Sequence, residues 1–237
     1  MKRLLACLLA VLLGLSALIG CAEEPAGDEN IVYANGLELT PDEDKTYYTV
    51  SGIGTFSGGA LNIPAEHEGL PITTIGKSAF EQCDTITSLT IAEGVTTIEE
   101  RAFSYCTAMT SVLLPASVTS MGKNAFSCCF ALTDFRFAEG TQLTVIPDYA
   151  FVYCKVLTEI TIPQSVVEIG GYAFAGCIAL TKVNLSLTDG WRAQGEPISA
   201  EDMASPETLA QYLTDTYYEK DFKRKVEPSE GQSDTQA

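Results

Sequence analysis

Apolar positions along this chain keep one rhythm, change to another, and then begin again. Ala-Phe pairs fall at 79–80, 102–103, 125–126, 150–151 and 173–174. The interval is the same each time, except that the third and fourth pairs stand two further apart. Three residues after each phenylalanine stands a cysteine: Cys83, Cys106, Cys129, Cys154 or Cys177. Three further on comes Ile86, Met109, Leu132, Leu157 or Leu180, followed in every copy by threonine. Apolar residues at intervals of three predict one or two turns of helix or 3₁₀-helix. The rhythm then changes to alternation in "SLTI", "SVLLP", "DFRF", "EITIP" and "KVNL". Alternation sends Leu89 and Ile91 to one face and Ser88 and Thr90 to the other, as a strand with period two requires. After four of the runs, Val95, Val118, Leu143 and Val166 lead to Ile98, Met121, Ile146 and Ile169. The third copy carries two extra residues near "EGTQLT", where a loop absorbs them.

A unit of this size is too small to fold alone, but it can shelter its apolar face against a neighbouring copy. Each coil supplies about six inward side chains, and each large one contributes roughly 1.5–3 kcal/mol when buried. Coils stacked at the ~4.8 Å strand spacing make a parallel sheet with a continuous interior. The predicted fold is therefore an α/β repeat, a solenoid of short parallel strands and short helical turns. The five phenylalanines are expected to form a column down its interior.

The unit A-F-x-x-C-x-x-[L/I/M]-T, followed by an alternating strand, resembles the BspA-type leucine-rich repeat of bacterial surface proteins. The likeness covers about residues 44–190, with the repeats proper at 77–188. It implies a right-handed leucine-rich-repeat solenoid. "TVSGIGTFSGGALNIPAEHEGLPITTIG" resembles the hairpin cap of such domains and places an N-terminal cap at 44–76. "DGW … YL … Y" resembles their C-terminal segment and places a helical cap within 189–226. Ser205 as N-cap and Pro206 at the first turn predict an amphipathic helix over 206–220, with Leu209, Tyr212, Leu213, Thr216 and Tyr217 on one face. With Trp191 that face suits a lid for the open end of the solenoid; a docking face for a partner is the other reading.

The ends carry separate signals. Lys2 and Arg3 precede an uncharged run from Leu4 to Ile19, short for a spanning helix of about 20 residues. An uncleaved anchor is the other reading of that run. Leu18-Ile19-Gly20-Cys21 resembles a lipoprotein lipobox, which implies a signal peptide at 1–20 and lipidation of Cys21. Cleavage there removes Lys2 and Arg3 and moves the formal charge from −17 to −19. The expected product is exported and lipid-anchored to the outer face of a bacterial membrane, held there only through Cys21. Residues 21–43 read as an acidic tether, and 227–237 as a disordered tail.

Composition narrows the partners. With 14 Lys and Arg against 31 Asp and Glu, the surface repels phosphate backbones, so no nucleic acid is expected. An exported chain with cysteines invites a disulfide framework. Here five cysteines share one position of the repeat, and helical turns about 10 Å wide would hold neighbouring coils beyond the separation a disulfide spans. The six cysteines after Cys21 are expected to be thiols, the five in register acting as small packing groups. The one histidine, His67, reads as a solvated turn residue, so Ser-His, Cys-His and histidine metal sites are not expected. No nucleophile elbow, phosphate loop or calcium loop appears. The chain is expected to be no enzyme and to use no cofactor and no metal.

What remains is the outer face of the strands. Ser88, Thr90, Ser111, Leu113, Asp134, Arg136, Glu159, Thr161, Lys182 and Asn184 point outward and differ between copies, while the inward positions stay apolar. They are the predicted face for an extracellular or surface protein or glycoprotein ligand, and the family likeness implies adhesion. The alternative is a structural envelope lipoprotein without a specific ligand.

Overall fold

The computed structural model describes residues 32–186, 191–193, 196–216 and 222–224. The signal segment, Cys21, the first part of the tether and the tail at 227–237 lie outside the described residues. Each repeat is one coil with three sides. The first side carries the alternating strands: β4 (Gly59–Ile63), β7 (Ile86–Ile91), β9 (Ser111–Leu114), β11 (Asp134–Phe137), β13 (Glu159–Ile162) and β15 (Lys182–Leu185). The second carries shorter ones: β6 (Leu70–Ile75), β8 (Thr97–Ile98), β10 (Ser120–Met121), β12 (Val145–Ile146) and β14 (Glu168–Ile169). Neighbours on both sides pair in parallel, as in Leu89↔Val112 and Ile75↔Ile98.

The third side holds Ala-Phe-x-x-Cys and departs from the predicted helical turns. It consists of turns, because two residues per coil take left-handed backbone angles: Ser78 and Gln82, Arg101 and Tyr105, Asn124 and Cys128, Tyr149 and Tyr153, Tyr172 and Gly176. A left-handed residue cannot continue a right-handed helix, and costs a side chain roughly 1–2 kcal/mol. The return is a third hydrogen-bonded ladder. Alternate amides close local turns, such as Cys83 N–H to Phe80 O, while those between reach the next coil: Phe80 to Ala102 O and Gln82 to Ser104 O, both 2.8 Å. The same step joins Phe103 to Ala125 O, Phe126 to Ala150 O and Phe151 to Ala173 O.

Inside, Phe80, Phe103, Phe126, Phe151 and Phe174 are fully buried and form the expected column. Successive rings stack at 5.1, 5.3, 5.9 and 5.2 Å, with interplanar angles of 4°, 7°, 9° and 9°. The cysteines are unpaired, although the reason differs from the predicted one. Backbone hydrogen bonds on this side bring the coils together, so distance does not keep the thiols apart. Four of the five in-register thiols instead donate to the Phe carbonyl of the preceding coil: Cys106 to Phe80, Cys129 to Phe103, Cys154 to Phe126 and Cys177 to Phe151, at 3.0–3.4 Å. Burial pushes the thiols of Cys106, Cys129 and Cys154 up, that of Cys129 to about 12.

Both ends extend the sheets. β1 (Val32–Ala34) and β2 (Leu37–Pro41) form an antiparallel hairpin that continues onto β3 (Tyr48–Gly52), which pairs in parallel with β6. The predicted tether thus ends well before 43: Leu37 and Leu39, two apolar residues in an acidic stretch, are buried against the first coil. β5 (Glu66–His67) is a short addition to β6, where His67 lies against the Tyr48 ring at 5.5 Å, not in a solvated turn.

The predicted C-terminal helix starts as expected, at Pro206 with Ser205 as its N-cap, whose side chain accepts Thr208 N–H at 3.2 Å. Its α-helical part, α2 (Pro206–Gln211), is short, and a further helix, α1 (Ala200–Met203), precedes it. A π-helical turn follows at Tyr212–Thr216, and 217–220 lie outside the described residues. α2 packs on β15, with Leu209, Ala210 and Leu213 buried. The rest is strand: β16 (Trp191–Ala193) pairs with β17 (Glu196–Pro197) and β18 (Phe222–Arg224), and β18 joins β14 antiparallel. No helix among the described residues is long and apolar enough to cross a membrane.

Candidate partner-binding face

The strands place all ten predicted face residues on the outer side, with Val112, Phe135, Ile160 and Val183 buried beneath. Register arranges them in two rows. Ser88, Ser111 and Asp134 are aligned in one, and Thr90, Leu113 and Arg136 in the other. Further along, Glu159 faces Lys182 and Thr161 faces Asn184. Leu113 stands out as an apolar side chain 47% exposed in the middle of the sheet. The rows also start earlier than the sequence suggested. β4 adds Ala60 beside Ser88 and Asn62 beside Thr90, hidden from the repeat pattern because "GALNI" lacks the Ala-Phe-x-x-Cys prefix.

The rows are interrupted between Arg136 and Thr161. β11 pairs only with β9 and β13 only with β15, so the ladder stops where the third and fourth copies meet. The shorter strands stop too, between β10 and β12. Both breaks flank the two-residue insertion. Chain before it follows the register of the second copy, and chain after it follows the fourth. Phe135 widens the joint: where other copies carry Leu89, Val112, Ile160 or Val183, its ring wedges edge-on against Phe126 and Phe151, at 5.1 and 4.6 Å. The Phe126–Phe151 step is accordingly the widest in the column, 5.9 Å. Only the turn ladder crosses unbroken, through Cys128 N–H to Val152 O at 2.8 Å.

The break opens a groove of about 930 Å³ on the strand side. It gathers Asp134, Arg136, Glu159 and Thr161 from the predicted face; the other six lie on flat sheet to either side. Arg136 is turned back on Asp134 at 2.8 Å, an exposed pair worth at most about 1 kcal/mol and free to exchange partners. Asn184 donates to Glu159 at 2.6 Å and holds it at the groove's edge. Glu139, the insertion residues Thr141 and Gln142, and the turn Pro163–Gln164–Ser165 complete the walls.

Residues 73–189 match the model of the BspA type leucine rich repeat region in six copies. The repeat region belongs to that type. No curated protein matches the chain. Among solved structures it is similar to a leucine-rich repeat protein of T. pallidum, at 27% identity and a TM-score of 0.59, over 64% of this chain and 70% of that one. It also matches a leucine-rich repeat protein of Bacteroides capillosus at 26% identity, TM-score 0.41, over 67% of this chain and all of that one. A leucine rich cell surface protein of Faecalibacterium prausnitzii matches at 21% identity, TM-score 0.44, over 71% and 57%.

On the turn side of the leucine-rich repeats lies a second concavity, about 710 Å³, that the repeat pattern did not suggest. Tyr105, Tyr149 and Tyr153 project there from left-handed positions and are 37–52% exposed. The signal was present in the sequence: the residues before Ala-Phe and before Cys are the variable ones of an otherwise uniform stretch, and four of those ten are tyrosine.

Proposed function

We propose that the chain is a lipid-anchored bacterial surface protein whose solenoid binds a protein or glycoprotein partner on its strand face, without catalysis, in adhesion or cell-surface interaction. The BspA type of its repeats and the lipobox-like stretch ending at Cys21 support the location. One observation carries the binding reading: the insertion splits the sheet where four variable, charged or hydroxylated outward residues meet, turning a flat face into a groove. A solenoid with only a structural task has no use for a break in both strand ladders, which forfeits main-chain hydrogen bonds. In the same reading the coil winds right-handed, as nearly all parallel crossovers do, and α2 closes the last coil.

The test is capture on intact cells or surface extracts with the full chain, followed by the variant Asp134→Ala/Arg136→Ala/Glu159→Ala. A saturable partner lost in the variant supports the groove. A partner retained by the variant moves binding elsewhere, and no saturable capture leaves the envelope-spacer alternative standing.

A further inference from the structure

The turn that enters each strand-to-strand connection contains an internal template. In the second copy Pro115–Ala116–Ser117–Val118 forms a turn closed by Val118 N–H to Pro115 O. The Glu93 carboxylate of the preceding coil receives the amides of both Ala116 and Ser117 at 3.0 Å. Ser117 Oγ completes the joint, donating to Val95 O at 2.7 Å and accepting Gly94 N–H at 3.1 Å. These bonds, first among them that from Ala116, hold the Glu93 carboxyl below the usual carboxylate range.

The fourth copy rebuilds the same turn. Pro163–Gln164–Ser165–Val166 is closed by Val166 N–H to Pro163 O at 3.1 Å. The preceding coil offers the same sequence as well, since Ala138-Glu139-Gly140 corresponds to Ala92-Glu93-Gly94. The insertion, however, lies between that tripeptide and Leu143, and the joint is not made. Among the described residues, neither Gln164 N–H nor Ser165 N–H has a backbone or carboxylate acceptor. Ser165 Oγ is buried without a partner, and so is Arg224 Nε. Arg224 braces the far side of the turn and does not line the groove: its Nη2 donates to Gln164 O at 3.1 Å and its amide to Val167 O at 2.7 Å. Each of these groups at the groove can donate a hydrogen bond, and the buried Ser165 hydroxyl, left without an acceptor, is costly unless something fills it.

We propose that the Gln164–Ser165 turn is a recognition site for a carboxylate of the partner, an Asp or Glu side chain or a chain terminus, inserted into the groove. This deepens the binding function proposed above and rests on it. The carboxylate takes the place that Glu93 occupies in the second copy's joint: two adjacent amides on its oxygens and the serine hydroxyl beside them.

The probe is acetate, titrated into the ¹⁵N-labelled full chain at constant ionic strength, with acetamide as the uncharged control. Saturable shifts are expected at Gln164 and Ser165 and not at Ala116 and Ser117, where Glu93 already sits. Ser165→Ala should weaken the apparent affinity about tenfold. Glu139→Gln should leave the two amides unshifted before acetate is added. If Glu139→Gln alone moves them, the chain fills the site with its own Glu139 and the proposal is overturned. Equal response to acetamide, or no saturable shift, overturns it too. The two readings separate cleanly: partner capture surviving in Ser165→Ala sinks the carboxylate site alone. Acetate binding without any captured partner sinks the proposed function alone.

Discussion

Alkaline titration tests the thiol column directly. In the unfolded chain a thiol ionises near 9.0, whereas burial holds Cys129 up to about 12 and raises Cys106 and Cys154 as well. Below pH 9 both states keep their protons and the column's contribution is intact. Above it the unfolded chain sheds protons that the native chain retains, so stability falls with rising pH until the native thiols ionise. Each group contributes about 1.4 kcal/mol per pH unit in that window. Three thiols therefore remove about 4 kcal/mol between pH 8.5 and 10, against a total of roughly 5–15 kcal/mol for a domain. With a urea m-value of about 2 kcal/mol/M, the midpoint should drop by about 2 M. Far-UV circular dichroism under a reductant, at half-unit steps from pH 7 to 10.5, measures it. The variant Cys106→Ala/Cys129→Ala/Cys154→Ala begins lower, because three sulfurs are missing from the core, but its midpoint should change little over the same range. Tyrosines titrate in both proteins and cancel in the comparison. A flat wild-type curve to pH 10, or the same slope in the variant, would refute the buried-thiol account.

The phenylalanine column should be graded by position. Phe126→Ala removes a ring packed on Phe103, Phe151 and Phe135 and should cost about 4–5 kcal/mol, while Phe80→Ala, stacked on Phe103 alone, should cost about 3 kcal/mol; urea midpoints in reverse order would contradict nearest-neighbour stacking. Deleting Thr141 and Gln142 restores the regular step of the repeat, and with Phe135→Val it should join β11 to β13. Hydrogen exchange at Glu159–Thr161 should then slow by about tenfold or more, and unchanged exchange would mean that the insertion does not cause the break.

The repeat and its interior were legible because packing sets them. Period two in "SLTI" decided which side of the strand is buried, and Ala-Phe-x-x-Cys decided the column, since a fully enclosed site tolerates few residue types. The turn side was misread for a related reason. Spacing of three fits helix and a left-handed turn equally well, and the residues that decide, such as Tyr105 and Tyr153, are poor left-handed formers in isolation. Only the neighbouring coil's carbonyl, a full repeat away in sequence, makes that conformation favourable. "LELT" was read as tether because a window rich in Asp and Glu hides Leu37 and Leu39, whose burial depends on β3 arriving alongside. Trp191 and the segment around Phe222 pair across the whole C-terminal helical segment, a separation over which periodicity carries no information. Of the face, the outward residues were legible and the groove was not: the extra residues announced a loop, but the break in two ladders follows from register.

That break explains how a repeat protein acquires a single site. Identical coils give every position the same surroundings, so variation on the strand face alone produces a graded surface with no preferred place. Two added residues between β11 and β12 change this because they act on three ladders unequally. The strands on either side keep their own partners and part from each other, while the turn ladder and the phenylalanine column, which lie beyond the insertion's reach in the coil, hold the halves together. Separation on one side and contact on the other leaves an open wedge. Turn chemistry of the kind that the preceding coil satisfies at Ala116 and Ser117, through Glu93, is carried into that wedge at Gln164 and Ser165 with its acceptor left behind. The proposed site would thus arise from a repeat that is faithful everywhere except in its spacing.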